Sequence, residues 1–346
     1  MRLNAPTLDR ENNGVSKKEL LCVFILSVWA VLILQNWVGN FTLYKKWDSG
    51  KHLVLHQAIV NNTPASGKTW NSMGANGVNG RILVTHLAET LHTWTSQSLS
   101  SIYWWIDTLA FTIGLVLLYV FIRFWFDPLL SCFGLVIFSF SGILTYHFHY
   151  FHPWDRLALI FWVLALLCIQ RHKTIVLAVV LGIGMLNKPD LLFIPLLYCG
   201  CNITRETRYS TLAKTCMLFG VTVEVSDGLL YFLPNGLDRP KLGFFTDTLN
   251  FMNSNFSSMA DMKFAHPALL AFTIPFFLST LDLSKKPRML NASLGFALFS
   301  MLVHFSFSNF REIRATYYIL LLLLPSALYS FHLLITNYPK RVANDR

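Results

Sequence analysis

Charge is scarce in this sequence. Only 13% of its 346 residues are Asp, Glu, Lys or Arg, about half the share of roughly 25% found in soluble domains. A solvated globular surface is excluded, and the mean hydropathy of +0.47 agrees. No cleavable leader is expected from its first residues. The first twenty residues, MRLNAPTLDRENNGVSKKEL, lack the short apolar core and small-residue cleavage site of a signal peptide. The first apolar run, Leu20 to Val38, therefore reads as a retained helix. The long polar loops hold no cysteine. Cys22, Cys132, Cys168, Cys199, Cys201 and Cys216 all lie in or beside apolar runs, so no disulfide framework is implied. No His-His dipeptide occurs, which removes the paired-histidine boxes of membrane di-iron enzymes. No internal repeat is visible.

Long apolar runs are what the chain does have. They match the roughly 17 to 25 residues that a helix needs to cross a bilayer, and they predict an all-α polytopic membrane protein. Ten spans follow: 20–38, 102–124, 129–148, 154–170, 174–187, 190–202, 212–233, 264–281, 289–307 and 315–336. Residues 1–346 then form a single transmembrane domain, with extracytoplasmic loops at 39–101 and 234–263. The fifth and sixth spans are short. Asn187-Lys188-Pro189-Asp190 separates them, because proline cannot continue a helix and restrains its predecessor.

Ten crossings with a cytoplasmic N-terminus put the short basic loops on one side. Arg171, Lys173, Arg205, Arg208, Lys214, Lys285, Lys286, Arg288, Lys340 and Arg341 then all face the cytoplasm, as the positive-inside rule requires. A nine-span arrangement would turn the later loops outward. The net charge of +10 is accounted for by these flanking cations and does not argue for nucleic acid. Both termini are expected in the cytoplasm, in a bacterial inner membrane.

The first outer loop carries two helical patches. DSGKHLVLHQAIVNN opens on Asp48 and sets His52, His56 and Ile59 along one face. NGRILVTHLAETLHTW repeats the pattern through Ile82, Leu83, Leu87 and Leu91. Both are expected as amphipathic helices on the membrane surface. A Gly-, Asn- and Ser-rich stretch joins them.

The outer-face ionisable groups form a set: Asp48, Asp155, Arg156, Lys188, Asp190, Arg311, Glu312 and Arg314. An ionisable group at a span edge is a functional candidate by default, although a single Arg or Lys there often just reaches the headgroups. Their joint location favours a site for phosphate or pyrophosphate, which arginine grips in bidentate fashion. Asp48 suits a general base and equally suits a helix cap. His147, His149 and His152 sit beside Asp155 at H-x-H-x-x-H spacing. The first two do not share a helix face, so interfacial histidines are favoured over a transition-metal site. Mg²⁺ or another divalent cation on Asp48 with a phosphate is compatible, but no cofactor is demanded. Glu224 and Asp227 share a face of the seventh span and read as an ion pathway or a buried contact.

Together these stretches resemble the GT-C-fold polytopic membrane glycosyltransferases. WDSGKHLVLHQAIVNN is similar to their first-loop acidic motif, and PWDRLALIFWVLALL, followed by the basic turn QRHK, is similar to the head of their fourth span. LAVVLGIGMLNKPDLLFIPLLY looks like their fifth and sixth helices with a Lys between, and NFREIRATYYILLLLLP like the E-x-R opening of a late helix. The resemblance implies a polyprenyl-phosphate-linked sugar donor and a glycan, lipid or protein acceptor outside the cytoplasm. It makes Asp48 the base and Asp155 a second acidic residue. His52, His56, Arg81, Arg156, Lys188, Arg311, Glu312 and Arg314 would contact substrate. A transporter or lipid flippase built on broken helices, or a non-catalytic subunit of a membrane complex, are the competing readings.

Overall fold

A computed structural model of the chain is described for residues 15–37, 51–61, 82–147, 154–232, 267–307 and 317–344, with a few isolated positions between 249 and 257. Among these residues the structure is all-helical. Within the described residues each expected apolar run is helical, the sixth opening as a 3-10 turn. In chain order the helices are α1 (Lys17–Trp37), α2 (Lys51–Val60), α3 (Ile82–Thr95), α4 (Leu99–Ile122), α5 (Pro128–His147) and α6 (Trp154–Gln170). They continue with α7 (Thr174–Met185), a 3-10 turn at Pro189–Phe193, α8 (Ile194–Asn202) and α9 (Arg208–Phe232). The last three are α10 (Pro267–Thr280), α11 (Arg288–Phe307) and α12 (Tyr317–Asn344).

Among the described residues, four stretches are long and apolar enough to cross a membrane: Lys17–Gln35, Leu99–Ile122, Arg288–Ser306 and Tyr317–Thr336. The chain is a helical membrane protein. With 12 residues, α7 rises about 18 Å, well short of a hydrocarbon core of about 30 Å.

The chain packs as two units. One comprises Met1–Ala30, Leu115–Thr145 and Phe251–Arg346. In it α12 packs against both α10 and α11. Lys286, in the turn before α11, reaches back with its ammonium to the Ser279 carbonyl at 2.6 Å and the Ser326 hydroxyl at 3.0 Å. A cation thus closes the C-terminal turn of α10, where free carbonyls attract positive charge. Burial draws this amine down to about 8, with Asp282 opposing. The Tyr317 hydroxyl donates to the Phe138 carbonyl at 2.5 Å, joining α12 to α5. At the start of α1, Ser16 and Glu19 exchange hydrogen bonds as a capping box. Glu19 also accepts from Tyr119 and, at 2.7 Å, from Arg123.

The other unit comprises Val31–Gly114 and Tyr146–Asn250. Here α2 packs on α3, α6 on α7, and α9 on both α7 and α8. Its core gathers Ile59, Val84, Ala88, Ile102, Tyr103, Ile106 and Trp154, with Ile82, Leu91 and Leu157 packed against them. The loop helices α2 and α3 therefore rest on α4 and the head of α6. The face of α3 buried in the protein is Val84, Thr85 and Ala88, whereas Leu87, expected on the face toward the membrane surface, is 41% exposed. Small residues win the inner face because they allow helix axes to approach. The loop segments 39–50 and 62–81, and most of 234–263, lie outside the described residues.

Close approach also governs α7. A Cβ on Gly184 would collide with the Leu191 side chain and come within 3.1 Å of Phe161 Cβ. Gly184 thus lets the 3-10 turn fold back beside α6. One on Gly182 would meet only Val221, at an ordinary 3.7 Å. Gly184→Ala is expected to cost about 1–3 kcal/mol through overpacking, while Gly182→Ala leaves the thermal midpoint of the detergent-solubilised protein unchanged or raises it.

Candidate functional site

The head of α6 is where the structure collects charge. Consecutive helical residues diverge by about 100° around the axis, so Asp155 and Arg156 find different partners. Asp155 meets the Lys188 ammonium at 3.2 Å, and Lys188 also holds Asp190 at 2.6 Å. The Asp155 and Lys188 side chains are 4% and 10% exposed, and Asp190 is 23% exposed. One lysine is thus held between a sequestered carboxylate and a more open one. Arg156 turns the other way into the helix packing. It pairs with Asp107 of α4, and both side chains are almost wholly buried. Its guanidinium lies over the Phe111 ring at 5.3 Å. Gln35 of α1 donates to the same Asp107 oxygen at 3.2 Å and to the Thr108 hydroxyl at 3.1 Å.

The break between α7 and the 3-10 turn is fastened on several sides. The Asn187 side-chain amide donates to the Trp154 carbonyl at 2.9 Å. The Leu83 N–H of α3 donates to the Leu186 carbonyl at 3.0 Å, which satisfies a first-turn donor that a helix leaves open. The Asn187 and Lys188 N–H groups return to the Gly184 carbonyl. Lys188 itself is extended, with φ −160° and ψ 130°, as the residue before a proline prefers. These bonds hold Lys188 against the first turn of α6.

A second polar cluster lies across the same apolar core. His56 of α2 is buried, with Nε2 at 2.9 Å from Glu89 of α3 and Nδ1 at 2.9 Å from the Tyr103 hydroxyl of α4. A carboxylate only accepts, so Nε2 carries the proton and Nδ1 accepts from tyrosine. Burial pushes the His56 imidazole below its ordinary value; Glu89 opposes this, while His92 and His86 reinforce it.

Of the residues expected at the site, Asp155, Arg156, Lys188 and His56 are therefore placed in these clusters. Asp48, Arg81, Arg311, Glu312 and Arg314 lie outside the described residues, as do His149, His152 and the divalent-cation site expected at Asp48. His52 is placed on α2 by its backbone alone. Asp107, Gln35 and Glu89 were not anticipated. A lone Asp in the apolar run IYWWIDTLAF was the available signal, since such a residue normally has a partner. Among the described residues no group of three or more His, Cys, Asp or Glu side chains is disposed to hold a metal ion. Glu224 is exposed on α9, and the Asp227 side chain lies outside the described residues. No known protein family, curated protein or solved structure matches the chain.

Two outcomes are expected. Removing one member of the buried Asp107–Arg156 pair leaves an uncompensated charge, so Asp107→Leu or Arg156→Met alone costs about 3–5 kcal/mol, and the double variant recovers most of it. Denaturation in detergent measures all three. For His56, the folded-state pKa lies below the unfolded value near 6.5. Its contribution is therefore present above that value and lost as pH falls below it. The thermal midpoint of His56→Gln is expected to fall less steeply than wild type between about pH 6.5 and 5.

Proposed function

We propose that this chain is a polytopic membrane glycosyltransferase of GT-C architecture. It moves a sugar from a polyprenyl-phosphate donor to an extracytoplasmic acceptor. The observation that carries this reading is Lys188, a buried ammonium held at a helix break between Asp155 and Asp190. A buried lysine ion-paired with two carboxylates is placed to meet an incoming phosphate. The more exposed Asp190 is the partner a phosphate would displace, while Asp155 keeps the amine in place. Preset charge of this kind lowers a barrier because it needs no reorganisation when the leaving group departs.

The chemistry is a single displacement with inversion. The acceptor oxygen attacks the anomeric carbon, the bond from that carbon to the phosphate oxygen breaks, and polyprenyl phosphate leaves. Asp48 takes the acceptor proton. The ten-span topology expected from the sequence would put Asp48, the head of α6, the 187–190 break and Arg311–Arg314 on the extracytoplasmic side and the basic turns in the cytoplasm.

The helix break also fits a transporter, since interrupted helices often mark substrate sites. Proton-coupled uptake into proteoliposomes would favour that reading. Sugar transfer decides for the enzyme. The full-length chain in proteoliposomes, given undecaprenyl-phosphate-linked glucose, mannose or arabinose with methyl glycosides and membrane lipid extract as acceptors, is expected to release undecaprenyl phosphate. Asp48→Asn should abolish transfer, and Lys188→Met should lower it at least about 100-fold, with membrane insertion retained. Wild-type rates in Asp48→Asn would remove the assignment of the base.

A further inference from the structure

Glu89 combines two properties that no other described carboxylate near this core has. Its side chain is 36% exposed, yet one oxygen is fixed by an imidazole only 2% exposed. Asp107 and Asp155, by contrast, are shut into ion pairs. The His56–Glu89 bond is directional. The imidazole has one N–H, and its other nitrogen is occupied by the Tyr103 hydroxyl. The ring therefore cannot reorient without losing a buried hydrogen bond. The bond engages Glu89 Oε2, and among the described residues Oε1 accepts none. What results is an oriented acceptor atom on a helix.

Its position matters as much. The N–H of Leu83, near the start of α3, is bonded to the helix break at Leu186. Glu89 follows Leu83 by six residues, about 9 Å along the helix axis. Trp154, next to Asp155, packs in the same core as Val84 and Ala88 of α3. Glu89 and the Asp155–Lys188 pair are thus carried by elements locked around one apolar plug.

We infer that Glu89 is a carbohydrate-binding residue whose Oε1 accepts a hydrogen bond from a sugar hydroxyl, with His56 as its positioning residue. The inference rests on the glycosyltransferase reading and adds to it a contact to the sugar instead of the phosphate. A fixed carboxylate discriminates strongly for a hydroxyl, because a substrate lacking it leaves a charged acceptor unpaired. The hydroxyl belongs either to the donor sugar or to the acceptor.

The proteoliposome assay with undecaprenyl-phosphate-linked hexoses and methyl glycosides separates these. In Glu89→Gln, KM for one substrate is expected to rise about 10- to 100-fold, the usual worth of a hydrogen bond to a charged group. The other KM, and kcat, should stay within a few-fold, and the thermal midpoint should be kept. A shift confined to the donor assigns the hydroxyl to the donor sugar, and one confined to the acceptor assigns it there. Unchanged KM for both overturns the inference. If Glu89→Gln proves too unstable to purify, Glu89→Asp decides by the same criterion, since it keeps the charge but withdraws the carboxylate by one methylene. A wild-type chain inert with every donor overturns the glycosyltransferase reading and this inference with it. An active wild type whose constants Glu89→Gln leaves unmoved overturns this inference alone.

Discussion

A charge inside an apolar helix bundle must meet its opposite or be neutralised, because water is not there to solvate it. That constraint organises the unit built around α6. Arg156 can be buried because Asp107 of α4 pairs with it, and Gln35 of α1 donates to the same Asp107 oxygen. Lys188 can be buried because Asp155 and Asp190 close on it. Each pairing fixes which helices are neighbours and in what register, a specificity that interchangeable aliphatic contacts do not provide.

The helix break depends on the same constraint. Pro189 ends α7, which leaves backbone groups that must be satisfied inside the protein. Leu186 gives its carbonyl to α3, Asn187 bonds the Trp154 carbonyl, and the two N–H groups after Leu186 return to Gly184. The irregular segment is therefore as well bonded as a helix end. It can present a lysine at a fixed point without exposing unpaired backbone to lipid. Gly184 is the local condition for this, since only a residue without a side chain lets Leu191 approach so closely.

The helices were legible because apolar runs and their punctuation are local signals. The run 102–124 was expected and Leu99–Ile122 is observed; 174–187 was expected and Thr174–Met185 is observed. The partners were not legible. Asp107 and Arg156 are 49 positions apart, and His56 and Glu89 are 33 apart; nothing in a single sequence links such positions. The face that α3 buries in the protein was not legible either. Its bulky aliphatics were expected to face the membrane surface, and Leu87 does lie outside the protein core; what the pattern did not show is that Val84, Thr85 and Ala88 pack inward.

The carboxylates of this unit divide by how much freedom the fold leaves them. Asp107 is bound to an arginine that cannot leave without stranding both charges. Asp155 is bound to a lysine that also has Asp190 to hold, so its partner can exchange one ligand and stay neutralised. Glu89 is bound through one oxygen to the buried His56 ring, and its side chain stays partly exposed. The series runs from a purely architectural charge to one that can exchange partners and then to one that can accept a new one. A site that works on a phosphate-linked sugar needs all three. Under the proposed reading, the fixed pair would keep the helices in place, the shared lysine would meet the phosphate, and the oriented carboxylate would recognise hydroxyls. The apolar core around Trp154 holds them together, so the packing of a few large side chains decides whether these charges act as one site.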